Sequence, residues 1–580
     1  MNTTLKKLAL AAFASVALVP FAVADLEKYL PSGKTLALAK IENVAALEKY
    51  GNTNPLAVEM KTKLIAPIFA AATKDASDQE AQDFAKAMKK LEKLTAAFPG
   101  EVVIALLDAG VKDKKPVCGA LIADCAEGTD LEKITEMYKE GYPGTLKDIK
   151  IKVGKSEIPA KKAKDEAFAV VDGKFILAEK TANLRQIAKA IKLGGKMKSV
   201  AASAIVYETM RKRMGNADIW LCANGALIAK KIYAAAENYD KKLAEEMKED
   251  PSMAMFSVMT TPIVKAFAPE AIDTIWWSVS YTENGAVSEG AISWNENKGL
   301  ASLLTASIKD GFEKPTLFPP SENLVSIGAS SFSVGAFVNR LMGIAREASP
   351  LFGIVDMQLM NLKATENVDV PAILTALGNG SFTYSLSANE PESTVWVQTV
   401  SDKAPVAVAL EKLAETLGSK VVFTRTEATA GTPEIYTFSG DFEQDGTVDV
   451  ASAVFLGDKL CLGPKETVDQ IISQYAKGKD APSAWDNAKI KAGEALLPPG
   501  GSGLSYLHLG KMISGIVDYA QETAATLEAG ELALDDDSQK AVADVFSELK
   551  IEAGDFDYSV ISKTYLKDKE LSAKTVIYKN

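Results

Sequence analysis

His508 is the one histidine in 580 residues, and it sits in a Gly/Pro-rich passage, LLPPGGSGLSYLHLGKMISGIV, Leu496 to Val517. A histidine in such a turn has the chemistry of a general base. A sister passage, LFPPSENLVSIGASSFSVGAFV at Leu317 to Val338, has none. Aligning DIWLCANGALI with GLSYLHLGKMI sets His508 against Ala223 and Gly510 against Gly225. A mechanism shared by sister passages would not accept alanine in place of its base, so His508 reads as an ordinary strand residue. Without another histidine, Ser–His–Asp and Cys–His catalysis lack their usual base. The sequence assigns no catalytic residue, and the chain is expected not to be an enzyme.

Cys118, Cys125, Cys222 and Cys461 are few for a chain of this size. Cys118 and Cys125 end the apolar run CGALIADC. As a strand, that run separates them by roughly 20 Å, beyond disulfide reach. Pairing of either with Cys222, or four buried free thiols, both remain open. No Cys-x-x-Cys pair occurs and a lone histidine does not complete a zinc site, so no metal ligand is assigned. Asp535-Asp536-Asp537 lacks the glycine and closing glutamate of a calcium loop and reads as a helix start. PPGGSG has no Lys-Ser/Thr ending and precedes a strand, so it reads as a loop and no cofactor site is assigned. KLGGKMK reads as a glycine helix cap. Of Trp276 and Trp277, adjacent in a strand, one is expected in the core and the other outside.

The elements that carry these residues recur. FAVVDGKFILAEKTANLRQIAKAI, Phe168 to Ile191, and SAVFLGDKLCLGPKETVDQIISQY, Ser452 to Tyr475, both read as hairpin then amphipathic helix. A turn, an alternating strand and a helix begin near Leu30, Asp218, Phe318 and Gly503. Two further hairpins, WWSVSYTENGAVSEGAISW and DYSVISKTYLKDKELSAKTVIY, close the two halves. The expected fold is α+β: a tandem duplication whose halves, 25–310 and 311–580, each hold a largely antiparallel or mixed sheet with helices packed on it. The segment GFEKPTLFPP, Gly311 to Pro320, reads as the joint. Helices such as PLAVEMKTKLIAPIFAAAT and AQDFAKAMKKLEKLTAAF carry apolar stripes that form core or border an apolar groove.

At the N-terminus, Lys6 and Lys7 precede an apolar run, Leu8 to Val19, and Ala22-Val23-Ala24 offers a small-residue cut. These are the parts of a secretory signal, 1–24, removed after Ala24. The apolar run is shorter than the roughly 20 residues that span a bilayer. Without Lys6 and Lys7 the formal charge moves from −11 to −13. So acidic a chain is a poor partner for nucleic acid or anionic lipid. Hydrophobic residues make up 47% and charged residues 24%, which suits packed domains, and the length calls for more than one core. No later stretch reads as a transmembrane segment.

The grammar of Leu30-Pro31-Ser32-Gly33-Lys34-Thr35, Pro99-Gly100-Glu101-Val102-Val103-Ile104-Ala105 and Val171 to Ala178 resembles a known family. It is similar to uncharacterised exported bacterial proteins, a family of unknown function whose duplicated repeats open on an L-P-A-D-T-like phrase before a strand. Gly380 to Leu386 and Leu456 to Gly463 fill the second and third places in the other half. Pro319-Pro320 and Gly500-Gly501 depart from the opening phrase. The resemblance implies a fold and an exported address, with no established activity and no site residues.

The expectation is therefore an exported, non-catalytic binding or scaffold protein of the bacterial periplasm or envelope, or one released outside the cell. Its partner is an unknown protein or an apolar ligand. The alternative is a soluble carrier of an apolar ligand; a third is a hydrolase using paired carboxylates.

Overall fold

Alternation of apolar and polar residues, broken by Gly, Asp and Asn, sets where strands form and turn. The computed structural model describes residues 26–31, 33–67, 92–108, 117–141, 145–164, 166–194, 217–249, 260–349, 352–388, 393–417, 421–429, 433–440, 449–526 and 550–580. The leader 1–24 and Asp535–Asp537 lie outside them. So do the residues after Gly194 in KLGGKMK and parts of the two apolar-striped helices.

The chain is an α+β protein with extensive antiparallel sheet. It divides into two compact units, one from the described residues of Met1–Ala234 and Asp273–Ile292, the other from Ala235–Ile272, Ser293–Thr526 and Lys550–Asn580. Gly311–Pro320 therefore falls inside the second unit.

The first ladder holds β1 (Thr35–Ile41), β2 (Val102–Asp108), β3 (Val117–Asp124), β4 (Lys147–Val153), β5 (Ser156–Lys162), β6 (Ala167–Val171), β7 (Lys174–Ala178), β8 (Ile219–Asn224), β9 (Ile272–Thr282) and β10 (Gly285–Trp294). Its hydrogen-bonded order is β10-β9-β8-β1-β2-β3-β7-β6-β5-β4. The second holds β11 (Ser326–Ser330), β12 (Leu377–Ser385), β13 (Thr394–Val400), β14 (Val421–Thr426), β15 (Ile435–Gly440), β16 (Asp449–Leu456), β17 (Lys459–Pro464), β18 (Gly503–His508), β19 (Tyr558–Lys567) and β20 (Glu570–Lys579). Its order is β20-β19-β18-β11-β12-β13-β17-β16-β15-β14. Counted from β1 and from β11, the two orders are the same.

Each pairing with a defined register is antiparallel, so the sheets are less mixed than the strand–helix units allowed. Parallel neighbours need a crossover, usually through one helix. The connection from β3 to β4 passes through the helix Leu131–Gly141 but joins strands that are not neighbours.

The expected hairpins form. Asp172 and Gly173, with φ of 50° and 72°, turn β6 into β7, and Asp568 and Lys569, with φ of 48° and 63°, turn β19 into β20. Positive φ at both central residues matches the right-handed twist of the strands. The helices Thr181–Lys192 and Lys465–Ala476 follow β7 and β17. Gly194, at φ of 61°, caps the first of them, as its sequence suggested. It buries Leu184, Ile187, Ala188 and Ile191 against β4, β6, β7 and the short turn Leu26–Tyr29. Burying each of the larger of these side chains contributes about 1.5–3 kcal/mol. In the second unit Tyr436, Phe438, Phe455 and Leu460 form a core with Val406 and Leu410 of the helix Lys403–Leu417.

Candidate functional site

The first ladder has an inner and an outer face, because alternate residues of a strand point opposite ways. Inward from β1 come Leu36, Leu38 and Lys40, all buried, while Ala37, Ala39 and Ile41 lie on the other face. Across that outer face Ile104, Ala39, Leu221 and Trp277 stand in one row, each the register partner of the next. Leu106, Ala37, Ala223 and Ile275 form the adjacent row. The large residues of these rows are open to solvent, from 39% at Ile275 to 51% at Ile104. Trp277 is among them and Trp276 is buried, as the alternation predicted. The place of the first row in the second ladder is held by Thr383, Gly328, Ser505 and Ser562. An antiparallel ladder of this order thus folds with hydroxyls and glycine in that row.

Lys40 is the surprise of the inner face. Its side chain is 2% exposed, with Glu27 at 3.3 Å, Glu42 at 3.0 Å and Glu101 at 3.4 Å. The Trp220 ring lies 5.5 Å from its ammonium, and the Trp220 Nε1–H donates to Glu42 at 3.0 Å. The backbone N–H of Leu26 donates to Glu101 Oε1 at 2.7 Å. Glu27 meets Lys40 as an ion pair without a hydrogen bond, so both its oxygens lack a donor, as does Glu101 Oε2. Burial works against the Lys40 charge, but Glu27, Glu101 and Glu42 outweigh it and raise its pKa. Burial pushes Glu101 up to about 8 against the pull of Lys40. The register places Ala329 and Ser331 of the second unit where Lys40 and Glu42 stand, and Gly380 where Glu101 stands. Glu101 was legible only as part of a strand phrase. A lysine at the third inward position of TLALAKI was the available signal.

These carboxylates do not offer the paired acid and base of a hydrolase. Glu27 and Glu101 are 3% and 1% exposed, sealed from any polymer substrate. Among the described residues no group of three or more His, Cys, Asp or Glu is placed to hold a metal ion.

His508 corrects the alignment. The backbone bonds Glu42 N–H to Asp218 and Ser331 N–H to Ser502 pair Asp218 with Ser502, hence Asn224 with His508, one residue beyond Ala223. The Asn224 side chain accepts from the Leu227 N–H at 3.0 Å, and His508 Nδ1 accepts from the Lys511 N–H at 3.4 Å. Both are N-caps, of the helices Gly225–Glu249 and Leu509–Thr526. His508 is buried, its Nε2 is 3.4 Å from the Lys489 ammonium, and burial with Lys489 and Lys511 drives its pKa down to about 4. A base held this low is a weak one at neutral pH.

None of the four cysteines is in a disulfide, and burial pushes the Cys222 and Cys461 thiols up to about 12 and Cys125 to about 11. Such thiols are unreactive. In the second unit the helices Val334–Ala348, Gly353–Glu366 and Val370–Ala376 border a hollow of about 700 Å³. Leu359, Met360 and Pro371 line it between two ion pairs, Arg346–Asp356 and Lys363–Asp369, each at 2.5 Å.

Fold and surfaces together define an α+β protein of antiparallel ladders, one with an exposed apolar outer face and a sealed ionic cluster beneath it. No protein-family model and no curated protein matches the chain. Among solved structures, crystal form III of TP0453 overlaps 51% of this chain and 91% of its own, with 9% identity and a TM-score of 0.25. Crystal form I of TP0453 covers 51% and 89%, at 6% identity and 0.25, and form IV covers 52% and 90%, at 8% and 0.24. Overlaps at these scores carry no statement about fold or function. Among the described residues no helix is long and apolar enough to cross a membrane.

Proposed function

We propose that this chain is an exported, non-catalytic binding or scaffold protein of the bacterial periplasm or envelope, with a leader cut after Ala24, and that its two ladders are copies of one ancestral segment. The shared strand order supports the duplication. One observation carries the binding reading: the open apolar rows Ile104–Ala39–Leu221–Trp277 and Leu106–Ala37–Ala223–Ile275. Exposed apolar surface of this kind is unfavourable in water, and contiguous patches mark interaction surfaces. Because the second ladder does without the first of these rows, its apolar residues serve something other than folding. The partner is a protein with an apolar surface of its own.

The test replaces Ile104→Thr, Leu221→Ser and Trp277→Ser together, the residues of the second ladder. The variant should keep its circular dichroism and cooperative melting. It should also lose the cross-linked species that a photoreactive side chain at position 39 forms in exporting cells. Identical cross-linked species from both proteins would remove the reading.

A second reading, a soluble carrier of an apolar ligand, draws on the hollow beside Met360. Its volume of about 700 Å³ falls in the usual range for small-molecule sites. Native mass spectrometry of the purified protein separates the two, since only a carrier retains a co-purifying ligand.

A further inference from the structure

We infer that the buried carboxylate cluster under β1 and β2 is a binding site for a primary ammonium group, and that its occupant is the α-ammonium of Asp25, freed when the leader is removed. The inference rests on the proposed cut after Ala24.

Charge balance comes first. Three carboxyl groups, Glu27, Glu42 and Glu101, face the ammonium of Lys40, and the deficit of positive charge shows at Glu101, which burial holds far above the usual carboxylate range. Lys174, whose charge also reaches Glu101, is engaged with Asp124 at 2.8 Å. Hydrogen bonding gives the same answer. Both oxygens of Glu27 and Oε2 of Glu101 are buried without a donor. A buried acceptor left unmet is costly, and a charged one more so.

Chain connectivity supplies the missing group. The Leu26 N–H already donates to Glu101 Oε1 at 2.7 Å. The nitrogen of residue 25 is three covalent bonds back along the chain. As an amide in the uncut chain it carries one hydrogen and no charge. As a free ammonium it carries three donors and a positive charge, which suits the unmet oxygens.

The second ladder is the natural control. It has Ala329, Ser331 and Gly380 where Lys40, Glu42 and Glu101 stand. The cluster occurs where processing exposes an amine.

The experiment compares the chain beginning at Asp25, freed by cutting a fusion after residue 24, with the same chain carrying two extra residues before Asp25. The Asp25 form should melt several degrees higher. Its α-amine should titrate about one unit above the ordinary 7.7–8.0, so that acetylation of the amine near neutral pH is roughly tenfold slower than for an exposed terminus. With Glu27→Gln and Glu101→Gln together, the two forms should melt alike. Equal melting of the unmutated forms with an ordinary amine pKa overturns the site. If the double variant fails to fold, the amine titration of the unaltered chain still decides. N-terminal sequencing of the exported protein reports the cut separately: a start other than Asp25 removes the occupant, whatever the engineered chain does.

Discussion

His508 shows how much of a residue's chemistry its surroundings decide. Free in water an imidazole titrates near 6.5. In this fold it is buried beside Lys489 and Lys511, with Asp557 too weak to offset them, and its pKa falls to about 4. As pH drops below about 6.5 the unfolded chain takes up a proton that the folded chain refuses. The His508 contribution is thus complete above pH 6.5 and is lost as pH falls toward 4. Because the chain has one histidine, its imidazole signal is unambiguous by NMR. That signal should stay at its neutral position from pH 8 to about 5. His508→Asn should keep the cap, as Asn224 does, and remove the fall in stability across this window. His508→Ala should lose the cap at about 0.5–2 kcal/mol, toward the low end given its 3.4 Å bond. An imidazole shift that titrates near 6.5 would contradict the burial argument.

At the scale of elements, the helix Val334–Ala348 contains two glycines with opposite roles. A Cβ at Gly335 would overlap the Leu374 carbonyl and stand 3.0 Å from that of Leu377, so this end of the helix needs glycine for backbone to approach backbone. A Cβ at Gly343 would meet only Arg340 Nη1, at 3.5 Å, the far end of a flexible side chain. Gly335→Ala should destabilise by about 1–3 kcal/mol. Gly343→Ala should stabilise by about 0.5–1 kcal/mol through helix propensity. Thermal melts of the two variants check both signs at once. Close approach is also what misled the alignment of sister passages. Gly510 lies against the carbonyls of Ala553 and Phe556, and matching it to Gly225 slipped the strands by one residue. A one-residue slip exchanges the faces of a strand. Hairpins, by contrast, were legible, since alternation and turn residues such as Asp172-Gly173 are local signals. The apolar rows and the Lys40 cluster were not, because Ile104, Leu221 and Trp277, or Lys40, Glu101 and Trp220, meet only through the strand order.

Across the whole molecule the two ladders offer an internal comparison, one with a buried ionic cluster and one without. A buried ion pair is seldom what makes a fold stable, since desolvation offsets most of its attraction, yet breaking it strands the remaining charge. Lys40→Met alone therefore leaves Glu27, Glu42 and Glu101 facing one another, and should cost about 3–5 kcal/mol in urea melts. Lys40→Ala with Glu42→Ser, Glu27→Gln and Glu101→Gln moves the site toward the second ladder's Ala329 and Ser331 and leaves no charged side chain to desolvate. That combination should recover most of the loss and keep the denaturant slope, which tracks the surface exposed on unfolding. If the four changes together were as damaging as Lys40→Met, the ions would be part of what holds the ladder together. Recovery would instead place them with the apolar rows on the opposite face, as features added to a strand order that folds without them.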